Sequence, residues 1–210
     1  IVRDFDAVFV SGGRSFDERV RAELDRVSFE VIYAAENVFV GETGGLRLLQ
    51  ENGLSGWVVD LGQRQLKISN GVRRWIFPRD FAQLPLREDR PEENIEEQRK
   101  RLREFVVTHL RSCIDGTPPA HSGLVLALPC RIHDDCRIEG SSYIGMASDH
   151  ALPIEIAIAA GFSNHPVFLL NDAELAAWSA RYDPRVSSEK KTLVLTLGFG
   201  VGAALLLPCR

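Results

Sequence analysis

Short apolar runs, most of them closed by glycine, asparagine or proline, set the rhythm of this chain. The first, Asp6-Ala7-Val8-Phe9-Val10, has the length of a strand. It ends at Ser11-Gly12-Gly13 and opens into a predicted helix over about 15–27, where Val20, Leu24 and Val27 recur at helical spacing. Val31-Ile32-Tyr33-Ala34 predicts a second short strand. Gly44-Gly45-Leu46-Arg47-Leu48-Leu49 predicts the start of a short helix, which Asn52-Gly53 breaks.

A second set of strands begins with Gly56-Trp57-Val58-Val59-Asp60-Leu61-Gly62 and continues with Leu66-Lys67-Ile68-Ser69 beyond a turn. Asn70-Gly71 is a strong hairpin signal, and residues 72–77 return as a third strand, completing a β-meander. Residues 78–91 are rich in proline and charge and read as a loop. An amphipathic helix over 91–113 follows, with Ile95, Leu102, Phe105, Val106 and Leu110 on one side, and Asp115-Gly116-Thr117-Pro118-Pro119 ends it. Leu124-Val125-Leu126-Ala127-Leu128 and Pro166-Val167-Phe168-Leu169-Leu170 are continuous apolar runs of the kind that form strands buried on both faces. Helices are predicted over 152–160, stopped by Gly161, and over 173–180, capped by Asn171 and Asp172. The last apolar strand, 192–197, turns through Gly198-Phe199-Gly200-Val201-Gly202 into a final one. Strands alternating with helices behind a leading meander define an α/β class.

Composition narrows the partners. A formal net charge of −4 offers no electrostatic footprint for a nucleic-acid backbone. The basic cluster at 99–101 follows Glu96-Glu97 at helical spacing and reads as a solvated helix face. No apolar run reaches the roughly 18 residues of a membrane span, and no secretory signal is visible. Cys113, Cys130, Cys136 and Cys209 form no C-x-x-C pair, and are expected to be reduced thiols in a cytoplasmic protein. His109, His121, His133, His150 and His165 share no metal-ligand spacing. Ser11-Gly12-Gly13-Arg14-Ser15 lacks the Lys-Ser/Thr ending of a P-loop.

Two glycine turns carry the chemistry. In Asp60-Leu61-Gly62-Gln63-Arg64 the glycine lets backbone N–H groups approach an anion, and a carboxylate at a strand end suits Mg²⁺. Gly198, Gly200 and Gly202 repeat the device around Phe199. Asp172, at the C-terminal end of one buried strand and the start of a helix, sits where α/β sheets bind ligands. Read from the residues alone, Asn171 and Asp172 are equally suited to capping that helix.

Together these elements resemble the actin/hexokinase/heat-shock ATPase superfamily, and the ROK sugar kinases within it. Asp60-x-Gly62 resembles the first phosphate motif and Leu197-Gly198-x-Gly200-x-Gly202 the second. Leu124 to Pro129 is similar to the strand before the family's Pro-Gly turn, and Pro166-Val167-x-x-x-Asn171-Asp172-Ala173-x-x-Ala176-Ala177 to its strand–Asn-Asp-Ala–helix element. The resemblance runs from about 56 to 207. It implies a ribonuclease H-like lobe with a β-meander and flanking helices, plus part of a second lobe, and an ATP- and Mg²⁺-dependent transfer of a phosphoryl group to a sugar or similar small polar metabolite. Asp172 is then the general base and Asn171 a substrate contact, with His133 and Asp134 expected at the substrate cleft. Asp60 is then the metal carboxylate. Gly62, Gln63, Arg64, Gly198, Phe199, Gly200 and Gly202 line the phosphates, and Gly12 and Gly13 back the adenosine.

The pattern departs from the family in four places. Gln63-Arg64 stands where Gly-Thr is usual, Phe199 where Thr is usual, and Cys130 where the turn glycine is usual; the cysteine–histidine zinc motif is absent. On the resemblance, Arg64 is expected to replace one of those threonine hydroxyls as a cationic phosphate contact, which Phe199 is not able to do. These departures favour an alternative, a non-catalytic nucleotide or sugar sensor or an actin-like assembly protein. The order also differs: Val8 to Gly13 resembles the adenosine motif and 37–49 the closing helix after it, and both normally follow the second phosphate motif. The expected organisation is an adenosine-side segment of the second lobe at 1–54, a first lobe at 55–190 and the second phosphate hairpin at 191–210, in a permuted chain or a part of a larger one. Oligomeric state is open, a homodimer included.

Overall fold

The computed structural model describes residues 5–34, 39–85, 94–139, 151–198 and 200–208. Of the positions singled out above, Asn37, Pro91, His150, Phe199 and Cys209 lie outside the described residues. The chain is mixed α/β and divides into two compact units, one of residues 1–47 with 172–210 and the other of residues 48–171.

The first unit holds a four-stranded sheet. Its strands are β1 (Ala7–Ser11), β2 (Glu30–Tyr33), β10 (Thr192–Leu197) and β11 (Val201–Leu206), in the order β11-β10-β1-β2. β1 runs parallel to both β10 and β2, while β10 and β11 form an antiparallel hairpin. The helix predicted over 15–27 is instead two pieces, a 3-10 turn at Gly13–Phe16 and α1 at Glu18–Leu24. Asp17 divides them: its backbone is extended and its side chain accepts from the Arg19 N–H, which restarts the helix as an N-cap. Helix α2 (Val40–Glu51) spans the boundary at 47/48. Helix α5 (Asp172–Ala180) buries Ala173, Ala176, Ala177 and Ala180, an i, i+3, i+4, i+7 stripe. Ala176, Ala177 and Ala180 pack with Phe9, Ile32 and Val194 from the sheet.

In the second unit β3 (Ser55–Leu61), β4 (Gln65–Ser69) and β5 (Arg74–Pro78) form the predicted meander, and β6 (Ser122–Leu128) and β9 (Val167–Asn171) extend it in parallel. The order is β5-β4-β3-β6-β9. β6 is buried at every residue, as its unbroken apolar run requires. The third strand begins at Arg74 rather than Val72. Asn70 Oδ1 accepts from the N–H groups of Val72 and Arg73, at 3.0 and 2.8 Å, so 70–73 form a side-chain-stabilised turn that leaves Val72 89% exposed. Helix α3 (Ile95–Cys113) is capped by the Asn94 side chain and buries Leu102, Val106 and Leu110; Phe105, placed on the same stripe by sequence, is only partly buried. Arg99 and Arg103 reach Glu155 on α4 (Leu152–Ala159) at 3.4 and 2.8 Å. A small hairpin, β7 (Arg131–Ile132) with β8 (Ile138–Glu139), had no counterpart in the apolar pattern because its strands are two residues long.

His109 on α3 stacks on Phe77 of β5, with ring centroids 4.0 Å apart, and meets Phe105 edge-on at 4.9 Å. Burial pushes its imidazole pKa below the ordinary value. The unfolded chain therefore takes up this proton at a higher pH than the folded one. The contribution of His109 to stability is complete above about pH 6.5 and is lost as the pH falls through the folded-state pKa. Urea midpoints measured from pH 8 to 5 are expected to decline at the acid end, and His109→Leu to flatten that part of the decline.

Candidate active site

The predicted site residues other than Phe199 are described, each within one of the two units. In the second unit Asp60 is the last residue but one of β3, buried between Val59 and Leu61 along the strand, and is 8% exposed. Its register partner on β4 is Lys67, whose Nζ donates to Asp60 Oδ2 at 2.8 Å. One carboxylate oxygen is thus engaged by an ammonium group on the adjacent strand. Among the described residues there is no group of three or more histidine, cysteine, aspartate or glutamate side chains arranged to hold a metal. Nucleotide-bound Mg²⁺ relies mainly on phosphate and water ligands, with one or two carboxylates, so Asp60 fits that role only by sharing its charge with Lys67.

The turn between β3 and β4 closes through the Gly62 N–H to the Gln65 carbonyl at 3.0 Å. Arg79, in the stretch expected to be a loop, braces this turn. Its backbone N–H donates to the Arg64 carbonyl at 2.9 Å and its guanidinium to the Gln63 carbonyl at 3.0 Å, while Nε and Nη2 reach the carbonyls of Leu84 and Pro85. Arg79 is 5% exposed, whereas Arg64 is exposed. A fork of donors on three carbonyls fixes the turn without a hydroxyl from residues 63 or 64.

His133 and Asp134 lie in the turn between β7 and β8. His133 Nε2 is 3.1 Å from Glu139 Oε1, while its backbone N–H donates to the Arg137 carbonyl at 2.9 Å and its own carbonyl accepts from Cys136. Asp134 is exposed. Asn171 is the last residue of β9, paired in register with Leu128 at the end of β6.

In the first unit three of the predicted elements converge. Asp172 is the first residue of α5, and its Oδ1 accepts from the Ala173 N–H at 3.0 Å. α5 packs over β10 and β11. In the hairpin register Gly202 faces Thr196. A Cβ built on Gly202 overlaps Thr196 Oγ1 and stands 3.0 Å from Asp172 Oδ1 and 3.2 Å from Ala173 Cβ. Only glycine fits there. Gly198 and Gly200 are different: a Cβ at either meets nothing within 4 Å, and the Gly198 N–H donates to the Gly200 carbonyl at 3.0 Å. The backbone at Gly198 and Gly200 is thus open to approach, which backbone that binds an anion requires. Gly12 follows β1 at φ +95, and a side chain there would stand 2.6 Å from the Leu197 carbonyl oxygen. The two glycine segments, 12–13 and 198–202, therefore lie at the same end of the parallel pair β1–β10. Gly13 opens the 3-10 turn and is unobstructed.

Sequence reasoning missed three polar residues here: Lys67, Arg79 and Thr196. Lys67 was legible in principle, since it lies across the turn from Asp60. Arg79 and Thr196 carry no motif, and their roles follow from pairing and packing alone. No family model matches this chain, and no curated protein matches it in sequence.

Two outcomes follow from this geometry. Gly202→Ala is expected to lower stability by about 1–3 kcal/mol through overpacking against Thr196 and Asp172, and Gly200→Ala to do so far less; thermal denaturation of the pair checks it. Lys67→Met strands a mostly buried carboxylate and is expected to cost about 3 kcal/mol. The double variant Asp60→Asn/Lys67→Met should recover much of that loss in urea titrations.

Proposed function

We propose that this protein is an actin-like ATPase-fold phosphoryltransferase that moves the γ-phosphoryl group of ATP, with Mg²⁺, to a hydroxyl of a sugar or similar small polar metabolite. The observation that carries the reading is the meeting of Asp172 with the glycine hairpin: its carboxylate oxygen stands 3.0 Å from where residue 202 would bear a side chain. A base for the acceptor hydroxyl and a backbone loop suited to phosphate thus belong to one unit.

The strand orders add support. The second unit's β5-β4-β3-β6-β9 sheet is a meander continued by two parallel strands, as a ribonuclease H-like lobe requires. The first unit repeats it in part. β10 with antiparallel β11, then parallel β1 and β2, follow the pattern of β3 with β4, then β6 and β9. In that repeat β1 and β2 precede β10 in the chain, which favours the permuted reading of the sequence order.

The chain's own residues then divide the work as follows. Asp172 accepts the proton of the attacking hydroxyl, with its carboxylate oriented by the Ala173 N–H. Asn171 hydrogen-bonds the acceptor. Within the first unit the 198–202 turn offers backbone to phosphate oxygens, and Gly12 and Gly13 leave room for the nucleoside; within the second, the 62–64 turn is suited to phosphate in its own right, with Arg64 adding charge. When bound, the nucleotide–metal pair supplies the phosphoryl group and neutralises its charge, so positioning is most of what the protein must contribute.

A second reading, a nucleotide or sugar sensor without turnover, is favoured by one observation: the Lys67 ammonium already occupies Asp60 Oδ2. An ADP-release assay across a panel of sugars separates the two. Turnover that Asp172→Asn lowers by about 100-fold or more, with nucleotide affinity retained, is the result expected of the kinase. Tight nucleotide binding with no turnover on any sugar would leave the sensor.

A further inference from the structure

Strand β11 is an edge of the first unit's sheet, with β10 as its strand neighbour among the described residues. On the face turned away from α5 the sheet grows barer toward that edge. Val8 and Val10 of β1 are 1% and 0% exposed, and their register partners Leu193 and Leu195 of β10 are half-buried. On β11 itself Val201 is 75% exposed and Leu205 45%, and Leu207, just beyond the strand, is 67% exposed. Alternate residues of a strand share a face, so these side chains and Ala203 make one apolar strip beside Leu193, Leu195 and Leu197. The run Val201-Gly202-Ala203-Ala204-Leu205-Leu206-Leu207 carries neither a charge nor a proline, the usual guards of an edge strand. Two other edges do carry them: β2 has Glu30, ion-paired with Lys190 at 2.7 Å, and β5 has Arg74 and Pro78.

The likeness between the two sheets shows what kind of element fits this edge. β4, the counterpart of β11, bears β5 antiparallel on its far side. Among the described residues the first sheet has no strand in that place. We infer that β11 pairs antiparallel with β11 of a second copy of this chain, about a two-fold axis, joining two four-stranded sheets into one continuous sheet. The strand is its own complement for this purpose. Directly opposed residues of an antiparallel pair point to the same face, so a two-fold at Ala204 sets residue 201 of one copy opposite 207 of the other, and 203 opposite 205. Apolar side chains then meet apolar side chains along the strip, with no like charges to repel. One strand pair with one apolar strip is a small contact, below about 1,200 Å², so the dimer forms reversibly with concentration.

Sedimentation equilibrium of the unaltered protein over about 1–200 µM, with amide hydrogen exchange at both ends of that range, tests the pairing. Monomer is expected to give way to dimer and to nothing larger, and exchange over 201–206 to slow as the dimer forms. Leu205→Lys and Leu207→Lys should each weaken the dimer by about 10-fold or more, with the Tm of the dilute protein unchanged. Leu207 lies outside the strand, so its variant keeps the test if Leu205→Lys disturbs the hairpin. Ile158→Lys, on the exposed face of α4 in the second unit, is the control and should leave the dimer intact. A protein that stays monomeric across the range overturns the inference. So does a dimer that survives both β11-side variants, one that Ile158→Lys abolishes, one that forms without slower exchange over 201–206, or growth beyond the dimer.

Discussion

The seating of α5 on the β10–β11 hairpin fixes the position of the one side chain on which the proposed chemistry turns. Four alanines at 173, 176, 177 and 180 line the buried face of the helix, and their small side chains let its backbone come close to the sheet. The first residue of that helix is Asp172, so the depth at which the alanines seat also sets how near the carboxylate comes to the hairpin. Gly202 answers this from below. With Thr196 Oγ1 and Asp172 Oδ1 both crowding its position, the hairpin register and the helix placement are locked by the same steric fact. A shift of β11 by one residue would turn Gly202 away and bring a side chain into the space that the carboxylate uses.

The second unit solves a different problem, that of holding a tight turn at the end of a strand buried from Gly56 to Leu61. Arg79 does this with its guanidinium, satisfying carbonyls at Gln63, Leu84 and Pro85 while its own N–H bonds Arg64. A buried guanidinium is tolerated when its donors are matched to carbonyl acceptors, and here the acceptors all come from backbone with no strand or helix partner to spare. In the same sheet the Asp60–Lys67 pair crosses from β3 to β4 in register, so charge on the Asp60 carboxylate is balanced within the sheet. The two features pull the functional reading in opposite directions: a well-held turn suits phosphate, and a carboxylate already engaged by a lysine weakens the case for a strong metal site.

The sequence by itself determined the local elements. Continuous apolar runs at 124–128 and 166–170, the meander from 56, the amphipathic helix that ends at Cys113 and the terminal glycine hairpin were legible because each depends on the periodicity of neighbouring residues. It also singled out Asp172 and Gly202, through the resemblance of their surroundings to known phosphate and base motifs. It misjudged the 15–27 segment and the start of the strand after the Asn70-Gly71 hairpin, where Asp17 and Asn70 side chains bond nearby backbone N–H groups and so override hydrophobic spacing. What only the tertiary structure decided is which polar groups meet. Asp60 with Lys67, Arg79 with the 62–65 turn, and Asp172 with Thr196 and Gly202 are set by strand register and helix seating. Those depend on residues far apart in the chain, and no local pattern encodes the distance between them.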